Sequence, residues 1–319
     1  MGVFAAKKDS TEEKLTKVTL NEVAHSIFYA PQYVAIEEGY FAEKGLDLTL
    51  VTGFGADKTM TAVISGEADI GFMGAEASVY AYQEGATDPV VNFAQLTQRA
   101  GNFLVAREEM PDFKWEDLKG EKVLGGRKGG MPEMVFEYIL KKNGIDPQKD
   151  LTIDQSIDFG STAAAFTSDD SAAYTVEFEP SATILEKEGA GYVVASLGEA
   201  SGYVPYTSYS TKASYMKENP EIIQKFTDAL QKGMDYVQNH TPEEIAEVIA
   251  PQFKETDLET ITAIVKRYYD QDTWKENLIF EKDSFELLQD ILEDAGELTD
   301  RTAYENLVQT EYAQKACKN

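Results

Sequence analysis

His25, Phe28 and Tyr29 stand close together near the start of the chain, and their side chains could hold a small flat molecule. Aromatic faces stack on rings, and an imidazole can donate or accept a hydrogen bond. The same residue types are also typical of an aromatic turn packed into a core, because Phe and Tyr are usually buried. Both interpretations, half of a ligand pocket and a packed turn, stay open at this point.

Glu177 and Glu179 form a second group, since alternate residues of a predicted strand share one face. Two carboxyl groups placed side by side raise the pKa of one of them. A carboxylate there could accept hydrogen bonds from amino or ring N–H groups of a ligand. The pair could equally be solvated at the end of a strand.

Residues 125–132, Gly-Gly-Arg-Lys-Gly-Gly-Met-Pro, could hold an anion. Backbone N–H groups at a helix start, together with Arg127 and Lys128, would suit a sulfonate or another oxyanion. The spacing is not that of a phosphate-binding P-loop. A flexible glycine turn with solvated basic side chains is the alternative.

Few residues of the chain could carry out enzyme catalysis. The chain has one cysteine, Cys317, and two histidines, His25 and His240, and neither histidine lies in a metalloprotease or serine-hydrolase signature. His25 could act as a general base, but no nucleophile or metal-ligand set accompanies it. We therefore expect no catalysis, no bound metal and no cofactor.

Composition narrows the class of partner. The chain has 319 residues, 43% of them hydrophobic, which predicts about two domains with real cores. The net charge of −27 argues against nucleic acid and anionic lipid as partners, and it predicts a monomer. Residues 1–17 are expected to be a flexible lead, which could tether a mature exported protein.

A strand followed by a helix must position the first group of residues. Val18–Val23 is typical of a strand, Pro31 suits a first helical turn because its φ is fixed, and Gly39 ends the helix. The loop with His25 therefore lies beyond the carboxyl end of a strand, where open α/β sheets bind ligands.

The alternation of strands and helices continues through two units, which predicts an α/β fold with largely parallel strands. In the first unit, Asp57 is expected to cap a helix after the turn at Gly53–Gly55. The second unit includes a predicted strand over Leu151–Ile157. After Pro205 the pattern predicts helices only, the last of them over Tyr304–Lys315.

Five segments in this order resemble a substrate-binding protein of an ABC importer, of the group that includes thiamine-pyrimidine, alkanesulfonate, taurine and nitrate binders. They are YAPQYVAIEEGYFAEKGLDLTLV, GADKTMTAVISGEADIGFMGAEASVYAYQEG, WEDLKGEKV, TVEFEPSA and ENPEIIQKFTDALQKGMDYVQNHTPEEIAEVIAP. The resemblance covers about residues 18–295, and its strength lies in the ordered set.

The resemblance implies a two-lobed periplasmic-binding-protein fold of type II. Each lobe would be a mixed sheet flanked by helices, with the ligand cleft between them. Residues 18–101 plus 206–319 would form lobe one, and residues 102–205 would form lobe two. Crossing segments near Ala100–Asn102 and Tyr203–Thr207 would act as hinges, since Gly101 and Gly202 lie close by.

The resemblance also implies which residues line the cleft. In lobe one these are His25, Phe28, Tyr29, Gly55, Asp57, Lys58, Thr59, Gly74 and Glu76. In lobe two they are Arg127, Gly129, Gly130, Met131, Glu177 and Glu179, and Tyr206 would sit at the hinge.

The implied function is capture of a small molecule by closure of the lobes, followed by recognition by a membrane permease. The aromatic and acidic candidates favour a thiamine-pyrimidine precursor or a related heteroaromatic, riboflavin-like molecules included. Taurine or an alkanesulfonate is the alternative ligand. A pyrimidine-precursor enzyme of the same fold is the alternative class, but those synthases depend on a cysteine-rich motif. The implied location is extracytoplasmic, either periplasmic or tethered as a lipoprotein.

Overall fold

The structure is a computed structural model that describes residues 14–319, in which ten strands form two five-stranded sheets. The strands of sheet one are β1 Thr16–Glu22, β2 Leu46–Thr52, β3 Ile70–Met73, β4 Val90–Thr97 and β10 Thr207–Lys212. Those of sheet two are β5 Phe103–Ala106, β6 Lys122–Leu124, β7 Thr152–Asp154, β8 Tyr174–Glu177 and β9 Tyr192–Ser196. Most of the predicted lead lies outside the described residues, and β1 begins at Thr16, so it includes the last two positions of the predicted lead.

Both sheets are mixed. In sheet one, with the order β2-β1-β3-β10-β4, the first three strands run parallel and β10 runs antiparallel to both of its neighbours. In sheet two, with the order β7-β6-β8-β5-β9, the first three strands run parallel and β5 is antiparallel to β8 and β9. Residues 98–102 and 202–206 connect the sheets. The lobe boundaries given above remain a prediction.

Helices flank both sheets. The early ones are α1 Ala30–Glu37, α2 Tyr40–Glu43, α3 Ala56–Ser65, α4 Glu76–Gln83, α5 Met131–Lys142, α6 Thr162–Ser168, α7 Ser181–Lys187 and α8 Leu197–Ser201. After β10 come α9 Ala213–Glu218, α10 Pro220–Asn239, α11 Pro242–Ile249, α12 Leu258–Asp270, α13 Lys282–Asp294, α14 Tyr304–Leu307 and α15 Glu311–Ala316. Within residues 14–319, no helix is both long and apolar enough to cross a bilayer.

Helix α10 fixes the position of the loop that precedes α1. Phe226 and Leu230 of its apolar stripe are fully buried, as their spacing predicts. At Gly233 a Cβ would lie 2.4 Å from the carbonyl oxygen of Pro31, so only glycine permits this close approach of α10 to α1. The N-terminus of α1 is thereby held beside the end of β1.

Strand β10 was expected to be part of a helical region, and this prediction was wrong. Its sequence, TSYSTK, has no apolar alternation, yet five of its six residues are buried. The hydroxyl groups are satisfied inside the sheet: Ser208 Oγ donates to Asn92 Oδ1 at 2.7 Å, and Thr211 Oγ1 donates to the Asp69 carbonyl at 2.7 Å. Hydrogen bonds therefore replace hydrophobicity as the reason for burial.

Two other elements differ from expectation. The predicted strand over Leu151–Ile157 is paired only at Thr152–Asp154. The predicted helix over Tyr304–Lys315 is split into α14 and α15, because Val308 leaves the helix to bridge Asn92 of β4.

Asn92 connects β4, β10, α4 and the residue that ends α14. Its Oδ1 accepts from Ser208, and its Nδ2 donates to Ser78 Oγ at 2.9 Å and to the Leu307 carbonyl at 3.0 Å. Asn92→Ala would leave buried polar groups unpaired, so we expect a loss of about 3 kcal/mol in unfolding free energy. Urea unfolding measures this loss. Asn239→Ala, at the exposed end of α10, is the control and should shift it by less than about 0.5 kcal/mol.

Candidate functional site

A cavity of about 250 Å³ lies between the two sheets. The carboxyl ends of the parallel strands β1, β2 and β3 meet at one edge of sheet one, and those of β6, β7 and β8 meet at one edge of sheet two. Residues that follow strands at both edges line the cavity. This is the place where α/β sheets present loops and helix N-termini to ligands.

Eleven of the residues expected in the cleft line this cavity. They are His25, Tyr29, Gly55, Gly74, Glu76, Arg127, Gly130, Met131, Glu177, Glu179 and Tyr206. That they contact a ligand remains a prediction.

Five of the expected residues are not brought to the cavity wall: Phe28, Asp57, Lys58, Thr59 and Gly129. Phe28 is fully buried behind it, with its ring 5.5 Å from that of Tyr206. The carbonyl of Gly129 accepts a hydrogen bond from the Tyr80 hydroxyl at 2.8 Å, which turns this glycine away.

The start of α3 explains why Asp57, Lys58 and Thr59 do not line the cavity. Gly55 occupies the cap position that was expected for Asp57, so Asp57 and Lys58 lie within the helix and face solvent. Thr59 is buried and donates its hydroxyl to Asn21 Oδ1 at 2.7 Å.

Glu22, the last residue of β1, organises the loop that leads to α1. Its buried carboxylate faces four polar side chains: His25 Nδ1 at 2.6 Å, Gln32 Nε2 at 2.8 Å, Tyr33 OH at 2.8 Å and Thr52 Oγ1 at 2.9 Å. These partners come from β2, α1 and the loop itself. The loop is therefore fixed before any ligand is considered.

Both ring nitrogens of His25 face acceptors. Nδ1 meets Glu22, and Nε2 meets the Gln252 carbonyl oxygen at 2.9 Å, so a proton is needed on each. Burial works to lower the pKa of His25, but the hydrogen bond and charge of Glu22, with the Gln252 carbonyl, raise it overall. A doubly donating imidazolium has no free lone pair, so this arrangement does not suit a general base.

Glu76, at the start of α4, is the least satisfied carboxyl group of the cavity. It is buried, and its Oε2 has no hydrogen-bond partner among residues 14–319. Burial raises the pKa of Glu76 to about 7, which its own backbone N–H, the Arg127 charge and the Met131 N–H offset only in part. The side chain can therefore be neutral or charged near neutral pH, and it can take a hydrogen bond from a ligand.

Glu177 and Glu179 differ in their hydrogen-bond partners. Burial raises the pKa of Glu177 to about 7, although Thr175 and Thr162 hydroxyls favour its charged form; Thr175 Oγ1 lies 2.7 Å from Oε1. Glu179 is also buried, but its side chain accepts from Thr183 Oγ1 at 2.9 Å and from Arg267 Nη1 at 3.0 Å. Neither is a solvated strand-end group. Glu177 has more capacity left for a ligand.

Aromatic side chains from both sheets surround the cavity. Tyr29 and Tyr206 were expected there, whereas Phe54, Phe159 and Phe178 were not. The rings of Phe159 and Phe178 are 5.9 Å apart. Strand alternation places Phe178 on the face opposite the two predicted glutamates, but β8 ends at Glu177, so the alternation does not extend to Phe178. Among residues 14–319, no three His, Cys, Asp or Glu side chains gather as a metal site would require.

Several contacts hold the two edges together across the cavity. Ser26 Oγ donates to the Glu179 carbonyl at 2.6 Å, beside the Arg267–Glu179 pair. On another side, Tyr80 OH donates to the Gly129 carbonyl. Outside the cavity lining, Lys141 Nζ donates to the Asp294 carbonyl at 2.6 Å. Direct contacts between residues of both edges therefore border the cavity.

Known proteins resemble the chain throughout its length. A family model described as NMT1/THI5 like matches residues 27–245. YtlA of Bacillus subtilis, named provisionally as a binding protein, is 47% identical over 313 residues, which are 98% of this chain and 93% of that protein.

Two further relatives are more distant, and the chain spans about two thirds of each. The riboflavin-binding protein RibY of Chloroflexus aurantiacus is 25% identical over 72% of this chain and 65% of its own length. The 4-amino-5-hydroxymethyl-2-methylpyrimidine phosphate synthase THI11 of Saccharomyces cerevisiae is 24% identical over 66% of this chain and 63% of its own length.

The solved structures that match share the fold. The periplasmic nitrate-binding protein NrtA from Synechocystis superposes with a TM-score of 0.75, covering 96% of this chain and 89% of that chain at 15% identity. This likeness, with the two mixed sheets, confirms the predicted periplasmic-binding-protein fold.

Glu76 should make the ligand-free protein less stable as pH rises. Its folded pKa, about 7, lies above its usual value of 4.5, so its stabilising contribution is complete below pH 4.5 and is lost as pH rises to about 7. Glu76→Gln removes this loss, and above pH 7 the variant should be more stable than the wild type by up to about 3 kcal/mol. Denaturant unfolding between pH 4.5 and 8 measures the difference. Glu84→Gln, at the exposed end of α4, should leave the profile unchanged.

Proposed function

The chain belongs to the NMT1/THI5-like family, and from that premise we propose that it is an extracytoplasmic solute-binding protein of an ABC importer, which captures a heteroaromatic molecule. One observation carries the proposal: residues from both sheet edges line the same cavity. A molecule in this cavity contacts both lobes only when they are closed, so its binding favours closure. A permease can then recognise the closed shape.

The lining supports a flat ligand that carries hydrogen-bond donors. Five aromatic side chains supply ring faces, and Glu76, Glu177 and Glu179 supply carboxyl oxygens. Arg127 is the cationic side chain of the loop on the opposite edge, and its Nε lies 3.9 Å from Asp57 Oδ1. A sulfonate or nitrate would meet three carboxyl groups here. A thiamine-pyrimidine precursor or a related amino-substituted ring fits this charge balance better.

Binding without bond breaking is part of the proposal. Both nitrogens of His25 are engaged by Glu22 and Gln252, which leaves this histidine no free lone pair with which to accept a proton. The synthases in the resemblance depend on a cysteine-rich motif, and the only cysteine here is Cys317, in the last turn of the chain. The protein would act as a monomer outside the cytoplasm, in the periplasm or tethered to the membrane, and deliver its ligand to the permease.

A thermal-shift panel tests the ligand class. The compounds are 4-amino-5-hydroxymethyl-2-methylpyrimidine, thiamine, riboflavin, taurine, methanesulfonate and nitrate. A ligand at 100 times its Kd adds about 2.7 kcal/mol of stability, which should raise the melting temperature by about 4 °C. We expect this rise from at least one of the ring compounds. A rise with taurine, methanesulfonate or nitrate alone would reverse the assignment of ligand class.

Glu177→Gln tests the role of the cavity carboxylates. The neutral amide loses a charge-assisted hydrogen bond to the ligand, so the Kd of the ring compound that binds best should rise about tenfold or more in calorimetry at pH 8.

Glu133→Gln is the matched control. Glu133 is also buried and burial raises its pKa to about 9, yet it does not line the cavity. Its variant should bind within about twofold of the wild type, since Gln resembles the neutral carboxyl group. Equal losses in the two variants would show a general effect of replacing a buried glutamate instead of ligand contact.

A further inference from the structure

Phe54 has an unusual combination of properties. It lines the cavity, yet its side chain is 57% exposed, so it stands at the mouth. Its φ of 58° lies in the left-handed region, which is uncommon for a bulky residue. Neither exposure of a large ring nor this backbone conformation helps a protein fold.

The neighbouring residues impose this conformation. Gly53 N donates to the Glu22 carbonyl at 2.8 Å, and Gly55 N donates to the Val23 carbonyl at 3.1 Å, so both flanks of Phe54 are tied to the end of β1. A Cβ on Gly53 would lie 2.6 Å from Asn21 Oδ1 and Thr59 Oγ1, which leaves no room for a side chain there. A strained residue persists only where its surroundings determine it this fully, and such residues cluster at functional sites.

The opposite edge brings a second ring to the same mouth. Phe159, on the loop between β7 and α6, also lines the cavity, and its Cβ lies 3.8 Å from where a Cβ on Gly55 would be. Phe159 continues inward to Phe178, whose ring is 5.8 Å from that of Phe28. Aromatic side chains therefore extend from the mouth to the hinge side of the cavity.

We propose that Phe54 is a specificity-determining residue, held in a strained backbone so that its ring closes over one face of a planar ligand. The inference deepens the proposed function and rests on it. When the exposed ring is buried against a bound ligand, the free energy lost by exposing it to water is regained. Stacking on one face discriminates flat rings from small tetrahedral anions, because only a ring offers an extended π-face.

Four substitutions at this position separate a ligand contact from a structural role. Phe54→Ala removes the ring and keeps the strain, so the Kd of the pyrimidine or riboflavin, whichever binds the wild type better, should rise about tenfold with little change in melting temperature. Phe54→Gly should weaken binding equally but raise the melting temperature of the ligand-free protein by about 1–3 °C, because glycine accepts positive φ. Phe54→Tyr should restore the Kd to within about twofold, and Phe54→Leu should not.

Ile64→Ala is the control, since Ile64 is half exposed on α3 outside the cavity, and it should leave the Kd unchanged. Calorimetry gives the Kd values, and differential scanning calorimetry gives the melting temperatures. Unchanged binding in Phe54→Ala, or a lower melting temperature in Phe54→Gly, would overturn the inference while the proposed function stands. A wild-type protein that binds neither ring compound would overturn both.

Discussion

The buried carboxylate of Glu22 is the interaction on which the rest of the structure depends. A buried charge without partners costs several kcal/mol, so the groups around it must converge on it with good geometry. Its partners come from β2, α1 and the loop after β1. One of them, Gln32, also accepts a hydrogen bond from the hydroxyl of Tyr209 in β10. This network fixes the loop from which Ser26 reaches across the cavity. The pocket edge is thus a consequence of a satisfied charge in the core.

Glu76 shows the opposite situation in the same sheet. Both glutamates are buried near the carboxyl ends of sheet-one strands, but Glu22 has four polar partners and Glu76 Oε2 has none among the described residues. Buried polar atoms in folded proteins are nearly always paired, so an unpaired oxygen that faces a cavity supports the proposal that a ligand supplies its partner. The first carboxylate maintains the fold, and the second is suited to a ligand. The distinction lies in the number of donors, not in the degree of burial.

Much of this architecture is readable from sequence, and the failures share a cause. Strand β1 overlaps the predicted Val18–Val23, and Pro31 stands in the first turn of α1 as expected, because both segments carry clear local patterns. Strand β10 has no such pattern, since its burial depends on Asn92 and Thr97, more than a hundred residues away. Phe54 was missed because its conformation follows from the ties of its neighbours to β1. Local patterns identify elements, whereas long-range hydrogen bonds decide these exceptions.

Under the proposed function, the contacts across the cavity determine how far a ligand can shift the open–closed equilibrium. The hydrogen bonds of Ser26 and Tyr80 contribute about 1 kcal/mol each, and exposed pairs such as Lys187–Asp257 add little. Moving an open–closed equilibrium from 1:99 to 99:1 takes about 5.5 kcal/mol. The hydrogen bonds of Ser26 and Tyr80 alone fall short of that amount. Under the proposed function, a ligand that contacts rings and carboxyl groups on both edges supplies the rest, so the extent of closure depends on the molecule bound.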